Sequence, residues 1–279
     1  MAEARNAFTV DLEEWFHICG AGDALASDNW DRLPSRVDLT TRILLDLLDG
    51  ANVRATFFVV GWVAERHAGL VDLVRRAGHE IGSHGHMHQR AFDLGRDRFR
   101  ADVRESVRAL SGATGGRVTM FRAPEWSINA RSTWALDVLA EEGFTVDASM
   151  APVKLVGDIS YPRYPHIRTT PAGPINEMPP LVADRFGQVM PMGWGWGLRM
   201  SSSGRVLRTI AAVNRADRPA VLMVHPWELD PDPPRVRLPP RLHFAHYFRL
   251  SGFRARLHDV LNGTSFCPLG DVLRASPEP

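Results

Sequence analysis

The 279-residue chain has two cysteines, Cys19 and Cys267, and one lysine, Lys154. Cysteines this far apart form neither a Cys-x-x-Cys redox pair nor a disulfide framework, so a reduced, cytoplasmic setting is expected. Arginine carries almost all the positive charge. With a net charge of +1 and basic residues scattered along the chain, there is no strong field and no support for a nucleic-acid partner. No run approaches the roughly 18 apolar residues that span a bilayer, and the amino terminus lacks the charged-then-apolar pattern of an export signal. The 44% apolar content is ample for a sizeable core, and no boundary to a second domain is visible.

The chain is organised around a histidine cluster in Gly78-His79-Glu80-Ile81-Gly82-Ser83-His84-Gly85-His86-Met87-His88. His84 and His88 are four residues apart. If one helical turn closes after Gly82, both imidazoles leave one face and can share a metal ion, while His86 points elsewhere. Two histidines usually need a carboxylate to complete a catalytic metal site. The first predicted strand, from Ala7, ends in Asp11-Leu12-Glu13-Glu14. Period two puts Asp11 and Glu13 on one face, and a bend at the strand end keeps Glu14 in contention.

Strands and helices are expected to alternate after that. Helix is predicted over 38–50, with Asp38 or Thr40 as its cap, then over 62–76, 97–110, 132–143 and 203–216. Apolar strands are predicted over 53–60, 118–121, 144–147 and 220–224. Three end in polar groups: Arg122 before Ala123-Pro124, Asp147, and His225 before Pro226-Trp227-Glu228. Residues 152–197, rich in Pro and Gly, are expected to form long loops or a β insertion over one end of the domain. Trp194 and Trp196, interleaved with glycine, either stack on sugar faces or pack over the barrel end. Residues 242–261 have helical periodicity, and 272–274 close the chain.

Asp11, Ser83-His84-x-x-x-His88, Arg122-x-Pro124, Asp147 and His225 occur in the order found in the polysaccharide deacetylase family, also called carbohydrate esterase family 4, which the chain resembles over residues 7–231. The acidic start and the His225–Pro231 segment, with His246-Tyr247-Phe248, are similar to a subgroup found with exopolysaccharide genes. The resemblance implies a distorted (β/α) barrel with fewer than eight strands. It implies one catalytic domain over 1–279, with a helical extension over 240–279.

The activity implied is metal-dependent removal of N-acetyl from an amino sugar: a glycoside, an oligosaccharide, or a lipid-linked or natural-product intermediate. The implied general base is Asp11, oriented by Arg122; the acid is His225, supported by a carboxylate such as Asp147; the metal ligands are His84, His88 and a neighbouring acid. The family usually has two adjacent aspartates at this point. Here Leu12 follows Asp11, so the ligand is Glu13 or Glu14, with Glu13 favoured because it shares Asp11's face. Zinc suits these ligands; cobalt, nickel and iron fit the same set. The Glu125 backbone N–H is expected to meet the oxyanion, and its side chain, where the family typically has tyrosine, to favour a cationic saccharide. Trp126, Trp194 and Trp196 are expected near the substrate. The alternatives are hydrolysis of a non-sugar amide or formamide, and a non-catalytic carbohydrate-binding protein.

Overall fold

The computed structural model describes residues 6–154, 156–185 and 187–275. Its strands are β1 (Asn6–Leu12), β2 (Thr56–Val59), β3 (Glu80–Ser83), β4 (Met120–Phe121), β5 (Val146–Asp147), β6 (His166–Thr170), β7 (Gly173–Glu177), β8 (Val182–Arg185), β9 (Gln188–Pro191), β10 (Val221–Val224) and β11 (Phe266–Cys267). The main sheet runs β10-β1-β2-β3-β4-β5-β7-β6, and β11 also pairs with β1. From β10 to β7 every neighbour is parallel; β6 turns back antiparallel on β7. Seven parallel strands side by side, linked through helices except between β5 and β7, make a distorted (β/α) barrel.

Residues 152–197 do more than cover one end. Their first hairpin, β6–β7, extends the main sheet, and their second, β8–β9, forms a separate two-stranded sheet. Beyond it the backbone runs along β10: Leu181 N–H donates to Val221 O at 2.9 Å and Met223 N–H to Gly193 O at 2.6 Å. These bonds satisfy an edge that would otherwise be unpaired.

Strand alternation separates two cores. Phe57 on β2 joins the main core, whereas its neighbour Phe58 packs with Ala7, Val146, Met178, Val221, Leu269 and Val272. Leu269 and Val272 belong to the closing helix, Leu269–Ala275, which meets the start of β2 where Leu269 N–H donates to Thr56 Oγ1 at 2.8 Å. That helix plugs the amino-terminal end of the strands. The opposite, carboxy-terminal end is left for the polar groups, as in parallel α/β folds generally.

Several elements differ from the sequence expectation. The 62–76 helix is two, Gly61–Arg66 and Ala68–Arg76, broken at His67. The tail forms Pro240–Tyr247 and Phe253–Gly263 rather than one helix, with left-handed Arg249 and Gly252 between them. Helix Val37–Gly50 is capped by neither Asp38 nor Thr40. The distant Glu14 carboxylate accepts from Arg36 N–H at 3.1 Å, from Val37 N–H at 3.3 Å and from the Ser35 hydroxyl. It thereby satisfies the orphan donors of the first turn. Residues 1–5 and 276–279 of the expected domain lie outside the described residues.

Candidate active site

The ends of β1 and β3 bring the first polar groups together. No helical turn joins His84 to His88. β3 ends at Ser83, the chain turns through left-handed Gly85 (φ 71°), and His88 itself is left-handed (φ 48°). The turn is pinned by Asp102, whose carboxylate accepts from the His86 and Met87 N–H groups at 2.8 and 3.0 Å. His86 is directed to another surface, 3.9 Å from Glu65.

Glu13, His84 and His88 are all buried, with one ligand atom of each lying within 4.8 Å of the others. His84 Nε2 is 3.8 Å and His88 Nε2 2.6 Å from Glu13 Oε2. Neither contact has hydrogen-bond alignment, which leaves Glu13 Oε2 a buried oxygen without a donor. Its other oxygen is fixed by Trp227 Nε1–H at 3.0 Å. His84 Nδ1–H donates to Arg122 O at 2.7 Å, which turns the Nε2 lone pair towards Glu13. Burial, with the nearby His88, lowers the His84 pKa to about 4, so this imidazole is neutral and able to ligate.

Ligands about 2.1 Å from one tetrahedral ion stand about 3.4 Å apart, so the donor set fits a small divalent cation after His88 moves by less than about 1 Å. Burial alone would raise the Glu13 pKa, but the charges of His88 and His225 overcome it and hold the carboxylate ionised. Glu14 is excluded from the cluster because its oxygens are committed to the helix terminus.

Asp11 flanks the same space. Arg122 NH1 donates to Asp11 Oδ1 at 2.8 Å and to Thr9 Oγ1 at 2.9 Å, and both charged side chains are almost fully buried. Arg122 is held in turn by the Ala148 carbonyl at 3.0 Å and lies over the Phe58 ring. Asp11 Oδ2 is thereby left facing His84 Nε2, 3.7 Å away.

On the other side His225, at the end of β10, places Nε2 3.7 Å from Glu13 Oε1. Asp147 does not support it: among the described residues no hydrogen bond or ion pair joins the two. Asp147 instead accepts from the Ser149 hydroxyl at 2.6 Å and sits beside Glu177, its register partner on β7. Burial raises the pKa of both carboxyls; the Asp147 charge raises that of Glu177 further, while hydrogen bonding from Glu177 and Ser149 offsets part of the rise at Asp147.

The partner of His225 is Glu228, one turn on, whose Oε2 takes the backbone N–H at 3.0 Å and Nδ1–H at 3.2 Å. Arg199 Nε lies 2.7 Å from Glu228 Oε1 and its remaining nitrogens donate to the carbonyls of Ala245, His246 and Phe248. Trp227 is stacked between His225 and His246, at 5.0 and 4.2 Å. Burial disfavours the charged imidazole, but Glu13 and then Glu228 outweigh it and the His225 pKa is raised.

Sequence reasoning did not assign roles to Glu228, Arg199 or Trp227. The four-residue unit His225-Pro-Trp-Glu228 carries a readable signal, a capping box in which the i,i+3 acid reaches back to its own N-cap. Arg199 has no local signal, because its partners come from the far tail.

The tryptophans are placed differently from expectation. Trp126 and Trp194 are 5% and 9% exposed and pack on each other at 5.3 Å within a small core with Val153, Val182 and Met223. Trp196 is partly buried against that cluster. Glu125 is exposed, on a left-handed backbone (φ 53°), and its carboxylate lies 3.5 Å from Arg90. A cleft of about 370 Å³ opens beside His88, lined by His17, Cys19, Trp30, Met87 and Arg90 among others.

Comparison with known proteins agrees with this geometry. Residues 26–146 match the polysaccharide deacetylase family model, and residues 148–274 match a domain of unknown function, DUF3473. Over residues 26–146 the chain is thus similar to the polysaccharide deacetylase family, carbohydrate esterase family 4. It is 26% identical over 116 residues to a peptidoglycan-N-acetylglucosamine deacetylase of Bacillus cereus, covering 37% of this chain and 42% of that protein. The chain thus spans under half the length of that curated relative.

Two solved structures share the fold. One is described as a candidate polysaccharide deacetylase from Mycobacterium smegmatis (TM-score 0.64, 20% identity, 100% of this chain and 95% of that one). The other is an allantoinase (TM-score 0.61, 18% identity, 98% and 90%). The two matched segments meet in one sheet, since β1, which precedes both, lies between β2 of the first and β10 of the second.

Proposed function

We propose that this chain hydrolyses the acetamide of an N-acetylated amino sugar, releasing acetate and the free amine. The observation that carries the reading is the convergence of Glu13, His84 and His88 on one buried space, with Asp11 on one side of it and His225 on the other. Glu13, His84 and His88 would hold a divalent cation, zinc by the softness of a His₂-carboxylate set, with cobalt, nickel or iron as substitutes. When bound, such a cation polarises the amide carbonyl and acidifies water.

The chain's own groups supply the proton transfers. Asp11 Oδ2, left free because Arg122 holds Oδ1, takes the proton of the attacking water as its oxygen bonds to the carbonyl carbon. His225 Nε2, protonated and locked by Glu228 at Nδ1, gives a proton to the nitrogen as the C–N bond breaks. The N–H groups at the Arg122-x-Pro124 turn, Glu125 foremost, would face the oxyanion. Asp147 acts at one remove, in the buried layer beneath Arg122.

The same reading treats residues 1–279 as one catalytic unit, because Asp11, which precedes the first matched segment, and His225, within the second, come from neighbouring strands. The finer substrate class we favour is an exopolysaccharide-type saccharide, on the similarity of the acidic start and the His225–Pro231 end to that subgroup. The test is product analysis with N-acetylglucosamine oligosaccharides, lipid-linked analogues and simple amides. Acetate from the saccharides supports the proposal. Formate, or turnover of non-sugar amides only, would move the activity to another C–N bond, and saccharide binding without turnover would make it a binding protein.

A further inference from the structure

A groove separate from the metal centre runs between the β8–β9 hairpin and helix Ser203–Asn214. It has two adjoining chambers of about 450 and 440 Å³ that share Ala183, Asp184, Arg205 and Thr209. Each is in the range that takes a drug-sized ligand. The second chamber is lined by Met190, Met192, Trp196 and Met200, giving a flexible, polarizable apolar wall suited to an alkyl chain. Met200 is 43% exposed at its mouth, and Tyr164, 38% exposed, borders the first chamber.

The charge is one-sided. Arg205 and Arg208 are exposed and one turn apart on helix Ser203–Asn214, and neither forms an ion pair with a carboxylate among the described residues. The acid shared by the two chambers, Asp184, is already engaged by Arg163, at 2.7 and 3.1 Å. Two uncompensated guanidinium groups beside a methionine-lined slot complement a molecule with an anionic head and an apolar tail.

We propose that this groove docks the chain on an anionic lipid, its phosphate on Arg205 and Arg208 and its acyl chain in the methionine chamber. No helix of the described residues is long and apolar enough to cross a membrane, so attachment of this kind would be peripheral. The surface lies on the barrel flank, outside the Glu13–His84–His88 centre, and acts independently of the reaction proposed above.

The test is co-sedimentation of the full chain with phosphatidylglycerol vesicles, with phosphatidylcholine vesicles as one control and inorganic phosphate as a competitor. Preferential binding to phosphatidylglycerol is expected. R205Q/R208Q should weaken it about thirtyfold, the effect of two basic groups at a charged surface, and Met200→Asp should weaken it with both arginines intact. Equal binding to both vesicles, no binding, or binding unchanged in these variants overturns the proposal. Complete displacement by millimolar phosphate would reassign the arginines to a free anion. Because all three positions are exposed and the assay reads binding alone, its outcome is separable from any failure of the deacetylase reading.

Discussion

The two halves of the candidate active site handle buried charge in opposite ways. On the β1–β3 side, Glu13 and His84 turn acceptors into a space that His88 also faces, and Glu13 Oε2 is left without an aligned donor. On the β10 side, His225, Glu228 and Arg199 form a chain of alternating charge: Glu228 takes the imidazole Nδ1–H, Arg199 Nε stands 2.7 Å from its other oxygen as an ion pair without hydrogen-bond alignment, and the guanidinium is anchored to three tail carbonyls. A buried carboxylate oxygen with no donor is costly unless something arrives to satisfy it, whereas a chain of opposite charges anchored at both ends is rigid by itself. On the function proposed above, the first half would receive a cation and the second would hold one imidazole in one tautomer and one place.

That contrast breaks most sharply at the open half. His84→Ala should lower acetate release by about a thousandfold or more, because several kcal/mol of transition-state stabilisation go with the cation. It should leave thermal stability nearly intact or improved, since a buried cluster of unpaired acceptors is relieved. Rate and melting temperature on the same sample check both halves of the statement.

In the closed half the balance reverses. Glu228→Gln should lower kcat about tenfold with little change in KM, and cost about 3 kcal/mol of stability because Arg199 is left buried without its counter-charge. Asp147→Asn should not reproduce that kinetic pattern. If it did and Glu228→Gln did not, the assignment of the histidine's partner would be reversed.

A smaller effect concerns pH. Asp147 and Glu177 are buried side by side, and both pKa values lie above those of the unfolded chain. Their contribution to stability is therefore full below the ordinary carboxyl range and is lost as pH rises through the raised folded-state values. Glu177→Gln should flatten the fall in stability above that range while keeping the acceptor for the Met150 N–H. Chemical denaturation across pH 4–9 measures it. The smallest effect is expected from Glu125→Gln, under about threefold on neutral or cationic saccharides alike, since Arg90 already opposes that exposed charge.

What could be read from the sequence follows the same division. The apolar strands and their polar ends are local patterns, so β1, β2 and β10 and the order Asp11, His84, His88, Arg122, His225 are visible before any fold is known. The left-handed His88 is not, because it depends on Asp102 holding the turn from another helix. Glu14 reads as a rival to Glu13 until the terminus of helix Val37–Gly50 is seen to claim it. Trp194 reads as a sugar platform because its glycine-rich setting suggests exposure, yet its bridge to Met223 on β10 folds it inward onto Trp126. Arg199 depends on carbonyls about 46–49 residues away and leaves no trace in its neighbourhood.

The most direct test of the central claim is the metal content and acetate release of the wild-type chain beside Glu13→Gln, each stripped with chelator and then titrated with zinc. The account predicts one equivalent bound by the wild type with activity regained in proportion, and weak binding with little activity in the variant. Full acetate release by the stripped wild type, or one tightly held equivalent with normal rate in Glu13→Gln, would contradict it.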